Sequence, residues 1–316
     1  MITVIIPIYN GEKHINRCLD SLLNQINTNF ELIVINDGST DKTISILESY
    51  RIKFKDFKII TKENEGQGVG RNIGIKRARG DYLVFIDSDD EVEINYISEF
   101  YNMINHNNMD LGITQIKRKF DYQVSFIESN FEYIQNVNIN QKITVQENPS
   151  LITQVLIAPF AKVIRKDFLM KNGIEFPSSR IYEDLYFTIS LLMANPSTVF
   201  VDKKTYSYHV RKENTMNSYE TKIVDMIATL NQIKEYAVER RVSEIYKNEI
   251  EFLAIYHLLI GSMYREWKHK PFSIIKARKT CQNWFKNSGY STNNKYLKKM
   301  KLYCKIYIKF FFYNLK

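Results

Sequence analysis

The feature that most constrains this chain is the spacing of four short β-branched runs in its first hundred residues. They are "TVIIPI" (Thr3 to Ile8), "ELIVIN" (Glu31 to Asn36), "FKIIT" (Phe57 to Thr61) and "YLVFID" (Tyr82 to Asp87), each separated from the next by an amphipathic piece of helical length. Runs apolar at successive positions suit strands covered on both faces. The expected fold is therefore α/β, a mostly parallel sheet flanked by helices. With 316 residues the chain can bury a full core without disulfides or structural metal, and a second lobe has room to form.

In such a sheet ligands bind beyond the carboxyl ends of the strands. The residues placed there are Tyr9-Asn10, Asp37-Gly38-Ser39, Glu63 to Gly70, and Asp87 to Asp90, all polar or glycine-rich. "DGSTD" is also good turn and helix-cap chemistry, with Ser39, Thr40 or Asp41 placed to cap the next helix. "DSDD" crowds carboxylates at the mouth of the core. Acids this close repel in a partly desolvated cleft, so a cation between them is expected. Oxygen-only ligation favours Mg²⁺ or Mn²⁺, which keeps waters and takes further ligands from substrate phosphates. Taken alone, an Asp-x-Asp also fits an exposed turn.

Residues 115–150 are polar and Asn-rich without a clear period, and are read as an irregular insertion. The pattern resumes at Ala158, and "EDLYFTISLLMA" has helical spacing with Glu183 and Asp184 in its first turn, where negative charge suits the helix dipole. Two long helical patterns run from Asn217 to Trp267. The expected division is an α/β domain at 1–215 and a helical region at 216–316.

The net charge of +9 sits in the tail. From Arg265 to Lys316 fourteen Lys or Arg face the single acid Glu266, a balance of +13, which leaves −4 for the preceding 264 residues. That disfavours a basic groove through the fold and points to one local patch. In "YLKKMKLYCKIYIKFFFYN", Lys298, Lys301, Lys305 and Lys309 share one helical face, opposite Met300, Tyr303, Tyr307 and Phe311. A basic amphipathic helix at 295–316 reads as membrane-surface binding, although the same apolar face could pack on the protein. No nucleic-acid motif accompanies it. Three scattered cysteines, no leader at the N-terminus and no spanning apolar stretch lead to an expected cytoplasmic location, peripheral on the inner face of the cell membrane.

Taken in order, "VIIPIYN", "VINDGSTD", "NEGQGVGRNIG" (Asn64 to Gly74), "FIDSDD" and "YED" resemble the family-two inverting glycosyltransferases of GT-A fold, the bacterial surface-polysaccharide type. The likeness is close over roughly 1–110 and looser over 158–215. It implies a UDP-sugar donor, a saccharide or lipid-linked acceptor, and Mn²⁺ or Mg²⁺. Asp37 would accept the uracil N3–H, with Pro7 to Tyr9 walling the base, and Asn64 and Gly66 would line the donor loop. Asp87 would contact ribose or metal and Asp89 would ligate the metal. Arg71 would lie near the phosphates, Asp184 would be the base, and Glu183 would tune it or bind acceptor. In "KTYSYHVRKENTMNS", Arg211 would touch phosphate and His209 approach the metal. The chain departs from the family in having Gly68 and Gly70 where Ser and Ala are frequent.

Three other readings are weighed. "GQGVG" is not a dinucleotide fingerprint, because that belongs on the first strand–helix turn. A sugar-1-phosphate nucleotidyltransferase needs a phosphate loop after the first strand, and "PIYNGEKHI" offers none. A catalytically silent, membrane-tethered assembly module would keep the fold without turnover.

Overall fold

The computed structural model describes residues 1–120, 139–178, 181–210, 222–258, 274–291 and 293–299. Two compact units emerge: Met1–Asn148 with Gln154–Asn214, and Pro149–Thr153 with Thr215–Lys316.

The first unit is built on one nine-stranded sheet. Its first four strands are β1 (Ile2–Ile8), β2 (Phe30–Asn36), β3 (Phe57–Thr61) and β4 (Tyr82–Phe85), joined by helices α1 (Ile15–Leu23), α2 (Thr43–Tyr50) and α3 (Gln67–Arg77). These strands lie parallel in the order β3-β2-β1-β4. β1, β2 and β4 are buried along their whole length, as their unbroken apolar runs require. β4 stops two residues short of the expected end. The Ile86 amide still donates to Ile5 O, but the Asp87 amide turns away to the Tyr206 hydroxyl, so the ladder ends where the acidic turn begins.

The rest of the chain in this unit adds β5 (Glu91–Val92), α4 (Tyr96–His106), β6 (Leu111–Phe120), β7 (Lys142–Ile143), β8 (Lys162–Arg165), α6 (Lys166–Lys171), α7 (Glu183–Met193) and β9 (Thr198–Val210), the four-residue helix α5 (Leu151–Gln154) intervening. Here the sheet is mixed rather than parallel. β8 runs antiparallel to β4 and β6, β6 parallel to β9, and β5 and β7 antiparallel to β9. Residues 115–120, expected to be irregular, continue β6. Ile116 is buried opposite Tyr206, while the lysines between it and the strand end pair with acids: Lys117 with Glu93, Lys119 with Glu91. Alternation with charged partners reads as a polar stretch in sequence.

The two faces of the sheet carry different cargo. Val4, Ile6, Val34, Val84 and Val163 point into one cluster with α1 and α4. The opposite face takes α3 and α7. Helix α3, "QGVGRNIGIKR", carries three glycines that each weaken it by about 1 kcal/mol relative to alanine. Gly74 explains one of them: a Cβ there would lie 2.4 Å from Ile5 Cγ2, so the helix rests directly on β1.

The second unit contains α8 (Lys222–Glu239), α9 (Lys247–Ala254) and α10 (Ile274–Ser288). The buried acids Glu249 and Glu251 anchor the chain after α10, through Tyr296 and Lys295 to the first and Ser291 and Asn294 to the second. Most of the basic tail, residues 300–316, lies outside the described residues. Among the described residues no helix is long and apolar enough to cross a membrane.

Candidate active site

The loops after β1 and β2 are zipped together by the polar residues read as turn chemistry. The Asn10 amide donates to Ser39 Oγ, the Thr40 amide to Asn10 Oδ1, and the Glu12 amide to Asp41 Oδ2. Asp41 also accepts from the Thr43 amide at the start of α2. Asn10 itself has φ 47°, a left-handed backbone that turns the chain out of β1. This leaves Tyr9 half exposed at the strand end, while Pro7 stays buried inside β1.

Asp37 follows β2 and is nearly buried. Its carboxylate accepts the amides of Glu65 (3.0 Å) and Gly66 (2.8 Å) and the ammonium of Lys62 (2.5 Å). It therefore shapes the loop between β3 and α3, with Asn64 exposed on that loop and Gly66 at φ 100° opening α3.

At the centre is Arg71, wholly buried on α3. Its Nη2 donates to Asp87 Oδ1 at 2.8 Å and to Gln67 Oε1 at 3.2 Å; its Nη1 donates to Asp184 Oδ1 at 2.8 Å and lies 3.6 Å from Glu183 Oε1. The Gln67 amide closes the ring by donating to Glu183 Oε1. One planar fork thus ties the acidic turn after β4 to the first turn of α7, geometry a lysine could not supply. Phe176 backs the guanidinium at 5.2 Å and stacks on Phe187 of α7 at 3.8 Å. Asn72 exchanges two hydrogen bonds with the Phe176 backbone, fixing that segment to α3. Gly68 allows this docking: a Cβ there would sit 3.0 Å from Pro177 O and 3.3 Å from Glu183 Cγ.

Tyr182, immediately before α7, has φ 63°, a strained conformation for an aromatic residue. The chain accepts that strain and in doing so turns Glu183 inward and leaves Asp184 at the rim. Glu183 is 4% exposed and Asp184 27%, while Asp87 is 23% exposed. The open oxygens of the cluster belong to Asp87 and Asp184. Burial, only partly opposed by Arg71, raises both, and the neighbouring acids Glu183 and Asp87 help push Asp184 up to about 7.

The remaining acids of "DSDD" diverge. Asp90 is fully buried, accepting from the Tyr206 hydroxyl (2.6 Å) and the His209 amide (2.8 Å), so it clamps β9 beneath the turn. Asp89 is partly exposed, and its carbonyl accepts from Arg17. The His209 ring lies 3.4 Å from Glu91 Oε1. Among the described residues no group of three or more His, Cys, Asp or Glu is arranged to hold a metal. Asp87 and Asp89 nevertheless suit a hard ion that brings waters and phosphate oxygens of its own: the negative charge of Asp89 bears on the Asp87 carboxyl, and one Asp87 oxygen is left over from Arg71. Arg211 lies outside the described residues.

Sequence reasoning passed over Gln67, Phe176, Tyr206 and Lys162. Gln67 was legible in principle, since it stands one helical turn before Arg71 on the same face. Phe176 and Tyr206 act through contacts between segments distant in sequence.

A sheet whose parallel half ends in an acidic turn after its fourth strand, faced by an acid pair opening a helix, is the arrangement expected of a glycosyltransferase of GT-A fold. The sequence model of "Glycosyl transferase family 2" matches residues 3–170, and the chain belongs to that family. It is 31% identical over 261 residues to the poly(ribitol-phosphate) beta-N-acetylglucosaminyltransferase TarS of Staphylococcus aureus (strain MW2), a span covering 79% of this chain and 43% of TarS. It is 26% identical to glycosyltransferase GlyG of Streptococcus pneumoniae serotype 4, covering 69% of this chain and 73% of GlyG. The crystal structure of S. aureus TarS 1–349 in complex with UDP-GlcNAc superposes with a TM-score of 0.72 at 26% identity, covering 90% of this chain and 81% of the other. The chain is a glycosyltransferase. It spans less than half the length of full TarS.

Proposed function

We propose that this enzyme transfers a sugar from a UDP-sugar to a hydroxyl of a saccharide or lipid-linked acceptor, with inversion at the anomeric carbon, in the synthesis of a bacterial surface polymer. The observation that supports the reading is the Arg71 bridge, which ties Asp87, read as the donor-side acid, to Asp184, read as the acceptor-side acid. Asp184 accepts the proton of the attacking hydroxyl as the new oxygen–carbon bond forms. The bond from the anomeric carbon to the diphosphate breaks, and UDP departs with the electron pair. A base raised toward neutral pH, partly open to solvent and held in place, fits that task. Glu183, buried behind it, keeps Asp184 oriented through Gln67 and Arg71.

On the donor side, Tyr9 offers an exposed ring for the uracil face at the rim of β1, and Asp37 an acceptor for its N3–H. Asn64 and Gly66 would border the same pocket. Asp87 and Asp89 would hold Mn²⁺ or Mg²⁺, which when bound neutralises charge growing on the departing diphosphate. His209 would have to leave Glu91 to join them, and Arg211 would add a phosphate contact. The UDP donor is supported by the TarS relative, whose crystal structures include complexes with UDP and UDP-GlcNAc. Peripheral membrane attachment rests on the sequence of the tail.

The test is release of UDP from a panel of UDP-sugars with and without Mn²⁺, followed by NMR assignment of the anomeric configuration of the product. An α-linked donor should give a β-linked product. Retention, or a preference for another nucleotide, would overturn the reading.

A further inference from the structure

Lys162 is a charged side chain at the start of an apolar strand, and it is 1% exposed. Its Nζ donates to the carbonyls of Leu156 (3.0 Å) and Ala158 (2.6 Å), and the shorter bond is of the length expected of a charge-assisted one. No ion pair holds it within 4.0 Å among the described residues. Burying a lysine in this way is costly and calls for a compensating anion nearby.

Strand register says which anion. β8 runs antiparallel to β4, with Val163 opposite Val84. Lys162 and Phe85, the neighbours of Val163 and Val84 along their strands, both project from the face opposite to that pair. Phe85 packs edge-on against Phe187 of α7 and against Phe176, the ring that backs Arg71. Lys162 therefore lies on the α7 side of the sheet, the side from which Phe187 of that helix meets Phe85. Ala161 just before it has φ 55°, so two left-handed non-glycine residues, Ala161 and Tyr182, each precede a buried charged side chain of the same cluster.

We propose that Lys162 is a positioning residue for Asp184: its buried ammonium, held by the Leu156 and Ala158 carbonyls, is the second cation of the cluster and stabilises the carboxylate that receives the acceptor proton. The inference rests on the function proposed above. The groups that face Asp184 are Arg71 from α3, Glu183 from its own helix, Asp87 from the end of β4 and Lys162 from β8. Two acids oppose ionisation and two cations favour it, so removing one cation tips the balance. In the same sense, burial, only partly opposed by Asp184, brings Lys162 down to about 7.

The experiment compares wild type with Lys162→Met, which keeps the volume and removes the charge, and with Asp184→Asn. In Lys162→Met the acidic limb of the kcat profile should move to higher pH by about one unit, with KM for the donor and UDP affinity unchanged. A fall in kcat without that shift means that Lys162 only props the Leu156–Ala158 segment, and overturns the proposal. Should Lys162→Met fail to fold, the reciprocal measurement decides. The ¹³Cε resonance of Lys162, followed by NMR, should titrate at lower pH in Asp184→Asn than in wild type; an unchanged midpoint overturns the proposal. This readout needs no turnover, so a wild type that transfers no sugar would sink the proposed function while leaving the Lys162 coupling separately decided.

Discussion

Nη1 of Arg71 lies 2.8 Å from Oδ1 of Asp184, 113 residues away in sequence, and the guanidinium that makes this bond is completely buried. With its other nitrogen on Asp87, Arg71 links two acids contributed by separate segments of the chain. The resemblance to the family placed this arginine near phosphates; in the structure its fork is engaged by carboxylates, and its effect on a donor would pass through Asp87.

Removing Arg71 leaves buried Glu183 and part-buried Asp87 and Asp184 without the guanidinium they share. Arg71→Met should lower stability by about 3–5 kcal/mol and abolish transfer. Arg71→Lys keeps the charge but cannot reach both acids, so its melting temperature should recover further than its activity. Thermal melts beside UDP-release rates check the pair.

Burial raises Asp184 to about 7 in the free enzyme, and a base works only when ionised. Transfer measured as kcat/KM should therefore be full above pH 7 and fall about tenfold per unit below it. An acidic limb centred near pH 4, the range of an ordinary carboxyl, would show that another group is the base.

The glycines of α3 give predictions of opposite sign. Gly74→Ala drives a methyl to 2.4 Å from Ile5 and should destabilise by roughly 1–3 kcal/mol. Gly70→Ala meets nothing closer than 3.4 Å, and the better helix former should stabilise by about 0.5–1 kcal/mol. Denaturant titrations of the two variants read both signs.

At the opposite end of the sheet, Glu31 is buried and accepts from Lys58, Arg79 and Thr3. Burial alone would raise its carboxyl, but these hydrogen bonds overcome it and bring it down to about 2 from an ordinary 4.5. A depressed carboxyl stabilises the fold above its unfolded value and loses that contribution as pH falls. Between pH 4.5 and 2 the wild type should lose at most about 3 kcal/mol through this group, less whatever solvent screens at the part-exposed Lys58 and Arg79. Glu31→Gln should flatten that part of the stability profile.

The parallel half of the fold was legible because β1, β2 and β4 are buried on both faces and so carry unbroken apolar runs. β6 was not, because its lysines are matched by acids on and just after β5, Glu91 and Glu93, that only the fold brings near. The acid residues of the site stood out as motifs at strand and helix ends. What the sequence hid is their division of labour. Asp90 and Asp87 are three residues apart and the same residue type, yet one is sealed under Tyr206 and the other opens to the cleft. Lys162 was hidden for the same reason: a lone lysine beside "VIR" looks solvated until register shows which face it takes.

The proposed base is Asp184, held by Arg71. The most direct measurement titrates UDP and Mn²⁺ into Asp184→Asn and assays the same preparation for transfer. The account predicts UDP affinity close to wild type and transfer reduced by about 10²–10⁴-fold. Transfer at the wild-type rate by a variant that still binds UDP would contradict it.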